Sequence, residues 1–148
     1  MNKPALHAPR RAPGFTLIEL LIAVAVVAIL TALALPSYNS YVTQGKIPDA
    51  LSSLSTKQLQ IEQFFQDNRT YVGATACVSD TTTSKYFDFA CTGQGATTYQ
   101  LNATGKSSMA GFTFTINQNN VKTTGAVPSG WTQPSPNTCW VTKKGGVC

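Results

Sequence analysis

Few residue types in this chain can carry chemistry, and their positions limit what that chemistry is. Four cysteines, Cys77, Cys91, Cys139 and Cys148, fall in its polar second part. An even number of cysteines in a polar exported domain suggests two disulfides. No two stand as CxxC, and the single histidine, His7, lies far away near the N-terminus, so zinc is the poorer reading. Four cysteines allow three connectivities. Cys77–Cys91 with Cys139–Cys148 is preferred, because each pairing closes a short loop containing turn residues. Lys143 and Lys144, with Lys106, Lys122 and Trp140, form a basic set with one aromatic, suited to DNA phosphates and bases. The plainer reading of these lysines is a charged turn at a solvated sheet edge, where Lys also blocks edge pairing. Beyond His7 there is no histidine, no acid pair at a telling spacing and no Gly-rich phosphate loop. An enzyme is disfavoured on those grounds, and no cofactor or metal is expected.

The remaining charge is distributed unevenly. The formal net charge is +5 and the pI about 9.2, yet Lys3, Arg10 and Arg11 all lie in the first fourteen residues. Without that segment eight Lys and Arg face six Asp and Glu, a balance of +2. The pI is therefore weak support for a nucleic-acid partner. Basic residues ahead of an apolar span hold that end in the cytoplasm and send the rest across the membrane.

The elements that must position these residues follow from the pattern. Residues 1–14, with three prolines and no apolar run, form no stable element. Phe15 to Leu35 is an apolar run of 21 residues whose one charge is Glu19. As a helix it would be about 32 Å long, matching a hydrocarbon core of roughly 30 Å, and it is apolar on every face. Pro36 interrupts it, removing a helical hydrogen bond, and should kink or loosen the helix. Tyr38 and Tyr41 follow and suit a membrane interface. Gly45 and Pro48 mark a second weak point, where Pro48 can start a fresh turn. Ile47, Leu51, Leu54, Gln58, Ile61 and Phe65 then recur at helical steps, predicting an amphipathic helix that ends at Asp67-Asn68. Val72 to Gly95 reads as loop. Strands are expected at Thr98–Thr104, Gly111–Asn117, Val121–Thr124 and Cys139–Thr142, with Asn119-Asn120 in a turn. The expected fold is α+β: a long N-terminal hydrophobic helix whose amphipathic second half packs on a four-stranded antiparallel sheet. The expected divisions are a leader at 1–14, a transmembrane or filament-core helix at 15–45 and a globular head at 46–148.

The string GFTLIELLIAVAVVAIL, from Gly14 onward, resembles the N-terminal signature of type IV prepilins. The resemblance implies cleavage after Gly14 by a prepilin peptidase and methylation of the new N-terminal Phe15. It also matches Glu19, five residues into the mature chain, and Pro36, twenty-two residues in. A charge at mid-membrane costs about 2.5–3.5 kcal/mol on insertion scales. The resemblance implies a reason for Glu19: pairing with the N-terminal amine of a neighbouring subunit, a register check during assembly. The local alternative is that Glu19 snorkels from the end of the span. At Pro36 the resemblance implies a stretch able to unwind within the filament. Further on, SMAGFTFTINQNN and GW…CWVTKKGGVC resemble the C-terminal half of PilE-type pilins of beta-proteobacteria, which include the ComP-like minor pilins. Disulfide-closed C-terminal loops are common in those relatives.

The resemblance therefore implies a pilus subunit, single-pass in the inner membrane before assembly and in an extracellular filament afterwards. Its implied partners are copies of itself in a helical homo-oligomer, other pilins, prepilin peptidase and the inner-membrane assembly machinery. The filament's implied uses are adhesion, twitching motility or DNA uptake. One rival keeps the fold and makes the chain a minor pilin that captures DNA through its C-terminal lysines. Another is a type II secretion pseudopilin, which shares the whole leader signature; the two expected disulfides and the PilE-like tail tilt against it. A third is a secreted protein cleaved at Ala32-Leu33-Ala34; the length of the span and Glu19 within it argue against that. Asn68-Arg69-Thr70 and Asn102-Ala103-Thr104 fit the N-glycosylation pattern, and no modification is assigned to them.

Overall fold

A computed structural model describes residues 14–148. The expected leader, with Lys3, His7, Arg10 and Arg11, lies outside the described residues apart from Gly14. Contacts divide the chain into two units, Met1–Tyr38 and Asn39–Cys148. The element order is one long helix followed by a four-stranded sheet.

Helix α1 runs Leu17–Asn68. It begins at Thr16, whose Oγ1 accepts a hydrogen bond from the Glu19 backbone N–H at 3.2 Å. Thr16 is thus the N-cap and Glu19 the third residue of the first turn, where a carboxylate faces the positive end of the helix dipole. An 18-residue window near its start has mean hydropathy 2.8 and is 0% buried. This stretch is long and apolar enough to cross a membrane. The hydroxyl of Thr31 donates to Val27 O at 2.7 Å and that of Thr43 to Asn39 O at 2.9 Å, so neither is left unsatisfied in an apolar setting.

The weak point expected at Gly45 and Pro48 does not end the helix: α1 is helical through Pro36, Gly45 and Pro48. An interior proline costs about 3 kcal/mol, but Ile47, Ala50, Leu54 and Ile61 are fully buried on the same stretch. At roughly 1.5–3 kcal/mol for each large apolar side chain, that burial outweighs the lost hydrogen bond. The helix stops after Asn68, where Arg69 takes a left-handed conformation (φ 55°) and its N–H bonds Phe65 O at 2.8 Å.

The sheet comprises β1 (Phe87–Thr92), β2 (Gln100–Gly105), β3 (Thr113–Asn117) and β4 (Lys122–Ala126), antiparallel in the order β1-β2-β3-β4. The register aligns Phe89 with Ala103 and Phe114, and Cys91 with Leu101 and Ile116. These rows share one face, and Phe87, Phe89, Leu101, Ala103, Phe114 and Ile116 join the buried helix residues in a single core. Asp88, Asn102, Thr104 and Thr113 take the alternate positions on the other face. In the β3–β4 turn Asn120 has φ 57°, and Asn117 Oδ1 accepts from the N–H groups of Asn119 and Val121, both at 3.0 Å.

Two of the expected strand assignments require correction. The Val72–Gly95 stretch read as loop contains β1 as well as a short 3₁₀ turn, Thr75–Cys77. Phe87, Phe89 and Cys91 do alternate, but Asp88 and the flanking polar tract masked so short a period. Conversely, Cys139–Thr142 is not a strand, for a reason that belongs to the site described below.

The connection from α1 to β1 is held by side chains rather than by a ladder. Asp80 pairs its backbone with Phe89 (2.8 and 2.9 Å). Its carboxylate accepts from the Thr82 and Thr83 N–H groups, both at 3.0 Å, and from Lys57 Nζ at 2.7 Å. Ser84 Oγ donates to the Asp49 carboxylate and accepts from the N–H groups of Tyr86 and Phe87, both at 3.0 Å. Cys77 is bonded to Cys91, tying the connection to β1. At the far end of α1, Glu62 accepts from the hydroxyls of Tyr71 (3.0 Å) and Tyr99 (2.8 Å). Burial and the Glu62 carboxylate push the Tyr71 phenol up to about 12 and raise that of Tyr99 as well.

The Asp80 cluster generates a pH prediction. The hydrogen bond from Lys57, followed by those from Thr83 and Thr82, holds the Asp80 carboxyl well below the usual carboxylate range. A depressed native pKa contributes stability above the unfolded value near 3.8, and that contribution is lost as pH falls below it. Asp80→Asn should therefore lower the urea midpoint at pH 7, and the gap from wild type should narrow toward pH 2. A gap of constant size would rule out the ion pair as its source.

Candidate functional site

The last quarter of the chain carries the groups left over from the core. Beyond Asp88 the sequence holds Lys106, Lys122, Lys143 and Lys144 and no Asp or Glu. Where those lysines sit depends on how the segment after β4 is held. Asn137 is the main clasp: its Oδ1 accepts from Thr124 N and its Nδ2 donates to Thr124 O, both at 2.8 Å. One side-chain amide thus satisfies both backbone groups of Thr124 on the open edge of β4. Thr124 Oγ1 donates to Cys139 O and accepts from Val141 N, both at 2.9 Å, and Gln133 Nε2 donates to Gly125 O at 2.9 Å. Here lies the reason that Cys139–Thr142 is not a strand. Side chains have taken the edge positions that a fifth strand's backbone would use.

Trp140 locks the segment in place. It is 7% exposed, and its Nε1 donates to Thr115 O at 2.8 Å. Lys122 Nζ stands 4.7 Å from its ring centroid, within cation–π range. Beyond it the chain turns back on itself, with the N–H groups of Thr142 and Lys143 both bonded to Val147 O (2.8 and 3.1 Å). Gly145 (φ 83°) and Gly146 (φ 77°) make the turn. A Cβ on Gly146 would lie 2.9 Å from Gln133 O, so that position excludes larger residues. The Cys139–Cys148 disulfide closes the loop, with Cα atoms 6.1 Å apart. Lys143 and Lys144 are exposed on it.

The four lysines grouped by sequence are not one patch. Trp140 joins Lys122 to the loop that carries Lys143 and Lys144. Lys106 lies at the opposite end of the sheet, just after Gly105, which pairs with Phe87; Lys122 pairs with Ile116, in the row of Leu101 and Cys91. At about 3.3 Å per residue the two ends are on the order of 15 Å apart. Lys106 is also engaged, 2.6 Å from Asp88 Oδ1 and 2.7 Å from Thr81 O. Trp140 is an anchor with its ring covered, not a platform open to a base. Asn137 and Thr124 gave no sequence signal, because their role exists only once β4 has an edge to close. The Thr16-x-x-Glu19 cap could have been read from its spacing.

This geometry, an apolar N-terminal helix and a sheet domain ending in a disulfide-closed loop, can be set beside known proteins. The family described as "Type IV minor pilin ComP, DNA uptake sequence receptor" matches residues 36–118, more than half of the chain.

The chain belongs to the ComP family of type IV minor pilins.

The "Prokaryotic N-terminal methylation motif" matches residues 9–35, which include Gly14, Phe15 and Glu19. Among individual relatives, the fimbrial protein EcpC of Eikenella corrodens is 31% identical over 97 residues, covering 64% of this chain and 63% of that one. The type IV major fimbrial protein FimA of Dichelobacter nodosus is 39% identical over 56 residues, covering 38% of this chain and 35% of that one. The chain thus spans less than two thirds of the length of these relatives. The crystal structure of the Neisseria meningitidis non-core minor pilin PilV aligns with a TM-score of 0.51 at 12% identity. That alignment covers 61% of this chain and 93% of PilV. It shows the shared fold: one long helix packed on a four-stranded antiparallel sheet. ComP-family chains are pilins, a structural class rather than an enzyme class. The apolar helix and the methylation motif fit membrane anchoring and a place in a surface filament.

The clasp on β4 yields a stability prediction for this ComP-family chain. Asn137→Ala leaves the Thr124 N–H and C=O unpaired at a covered edge and should cost about 1–3 kcal/mol. Opening Cys139–Cys148, which closes a 9-residue separation, should cost about 2–3 kcal/mol by loop entropy. Urea denaturation of Asn137→Ala and of a Cys139→Ser/Cys148→Ser pair measures both. A neutral Asn137→Ala would refute the clasp.

Proposed function

We propose that this chain is a minor subunit of a type IV pilus that presents its C-terminal loop to DNA. In this reading it is inserted once through the inner membrane as a prepilin, cleaved by prepilin peptidase after Gly14 and methylated on Phe15. It then joins other pilins, and copies of itself, in an extracellular filament through α1 and the inner-membrane assembly machinery. Glu19 pairs with the N-terminal amine of a neighbouring subunit. Pro36 supplies the point at which the helix can loosen in the filament. Residues 15–45 form the filament-core segment and residues 46–148 the head.

The observation that carries the DNA reading is the lysine set Lys122, Lys143 and Lys144 on a stretch without a carboxylate side chain, in a chain of a family described as a DNA uptake sequence receptor. Two of these lysines stand exposed on a loop fixed by a disulfide and a buried tryptophan, so little freedom is lost on binding. Lysines positioned in this way contact phosphates and contribute affinity more than base selectivity.

Two measurements test the proposal. In gel-shift titrations, three phosphate contacts predict a log–log salt slope near −2.7, or roughly 40-fold weaker binding from 50 to 200 mM salt. Lys122→Ala/Lys143→Ala/Lys144→Ala should remove most of that slope, whereas Lys106→Ala, whose ammonium is committed to Asp88, should leave it nearly unchanged. An unaltered slope in the triple variant would sink the DNA assignment. Mass spectrometry of the mature N-terminus tests the processing: methylated Phe15 is expected, and a chain starting at Leu35 would overturn the pilin route.

A further inference from the structure

At the end of the sheet away from the disulfide-closed loop, a second basic cluster has no role in the reading above. Lys46 comes from α1 and Lys85 from the residues just before β1, and both ammoniums lie against one aromatic ring. Lys46 Nζ is 5.0 Å and Lys85 Nζ 5.9 Å from the Tyr86 centroid. Lys46 also donates to Ser108 Oγ at 3.0 Å. Of the acids on neighbouring positions, Asp88 pairs with Lys106, and Asp49 keeps its charge but turns its carboxylate to the Ser84 hydroxyl. Among the described residues neither Lys46 nor Lys85 has a carboxylate partner within ion-pair distance. Two like charges gathered on one ring favour an anion between or above them.

The order of residue types along α1 indicates which anion. The apolar run ends at Leu35; Tyr38 and Tyr41 follow, 65% and 76% exposed, and then comes Lys46. Apolar, then aromatic, then basic is the sequence of environments met on leaving a bilayer. Eleven residues separate Leu35 from Lys46 along the chain, so a bilayer that holds the apolar run keeps the lysine close to its headgroups, whose surface charge acts over about a Debye length of 8 Å.

We propose that Lys46, Lys85 and Tyr86 form a contact site for the phosphate headgroups of anionic phospholipid, used while the chain is anchored in the bilayer. The proposal rests on the membrane-anchored reading of α1 and assigns the lysines at the two ends of the sheet different partners. The chemistry is the weak, salt-sensitive attraction of a few lysines to a negatively charged surface.

The test uses the full chain reconstituted into vesicles of phosphatidylcholine alone or with a third of the lipid as phosphatidylglycerol. Flotation reports anchoring, and acylation of lysines by a water-soluble reagent, read by mass spectrometry, reports contact. Lys46 and Lys85 should label roughly fivefold more slowly on the anionic vesicles, equivalent to ~1 kcal/mol per lysine. Molar salt should remove the difference, and Lys143 and Lys144 should label equally on both vesicles. Flotation with equal labelling of Lys46 and Lys85 on the two lipids overturns this proposal alone. Failure to float on either vesicle overturns the anchored reading and this proposal together. Protection of Lys46 and Lys85 by added duplex DNA, with none from anionic lipid, reassigns the cluster and also overturns it.

Discussion

The head depends on the burial of one helical stripe. Ile47, Ala50, Leu54 and Ile61 have no exposed surface, and they meet Phe87, Phe89, Leu101, Ala103, Phe114 and Ile116 from the sheet. The apolar face of this four-stranded meander must be buried against another element. The amphipathic part of α1 needs a surface of the same kind. Each therefore completes the other, and that mutual requirement explains why α1 stays helical through Gly45 and Pro48. A local preference for a break loses to the apolar area that continuity keeps covered.

With the core fixed, the residues at its margins are held by polar side chains acting where the backbone has no ladder. Asp80 organises the α1–β1 connection, Glu62 joins Tyr71 to Tyr99, and Asn137 with Thr124 closes the edge of β4. Each of these uses a short side chain to satisfy backbone or hydroxyl groups that would otherwise face a partly covered surface. The arrangement lets the connecting segments depart from regular structure without leaving polar groups unpaired; among the described residues no buried side-chain nitrogen or oxygen lacks a partner. Such segments are where functional variation is best tolerated. In this chain they carry Lys85, Lys106, Lys143 and Lys144, whereas Lys46 and Lys57 stand on α1 and Lys122 on β4.

Charge follows the same division. Lys57 and Lys106 are spent on Asp80 and Asp88 inside the head's own framework. Lys122, Lys143 and Lys144 gather beyond the last acid, while Lys46 and Lys85 meet on Tyr86 at the other end of the sheet. Net charge alone conceals this, because +5 for the whole chain includes three basic residues from its first fourteen. The meaningful quantity is which cations lack an acid beside them, and that is a property of the fold.

The sequence by itself determined the features that rest on local chemistry or long periodicity. The apolar run, the helical stripe from Ile47 to Ile61, the end of α1 at Asn68, the Asn-rich turn and the alternation of Phe112, Phe114 and Ile116 were all legible, because each repeats a signal over several residues or needs only its neighbours. The resemblance at Gly14–Phe15 was legible for the same reason, as a dense local string. Tertiary structure alone decided that Phe87–Thr92 is a strand, that Cys139–Thr142 is not, and that Lys106 is separated from Lys122. Each of these turns on which edge of the sheet is open and what reaches it. Asn137 is one polar residue in a polar loop until Thr124 stands 2.8 Å away, and contacts between residues far apart in the chain have no local pattern to announce them.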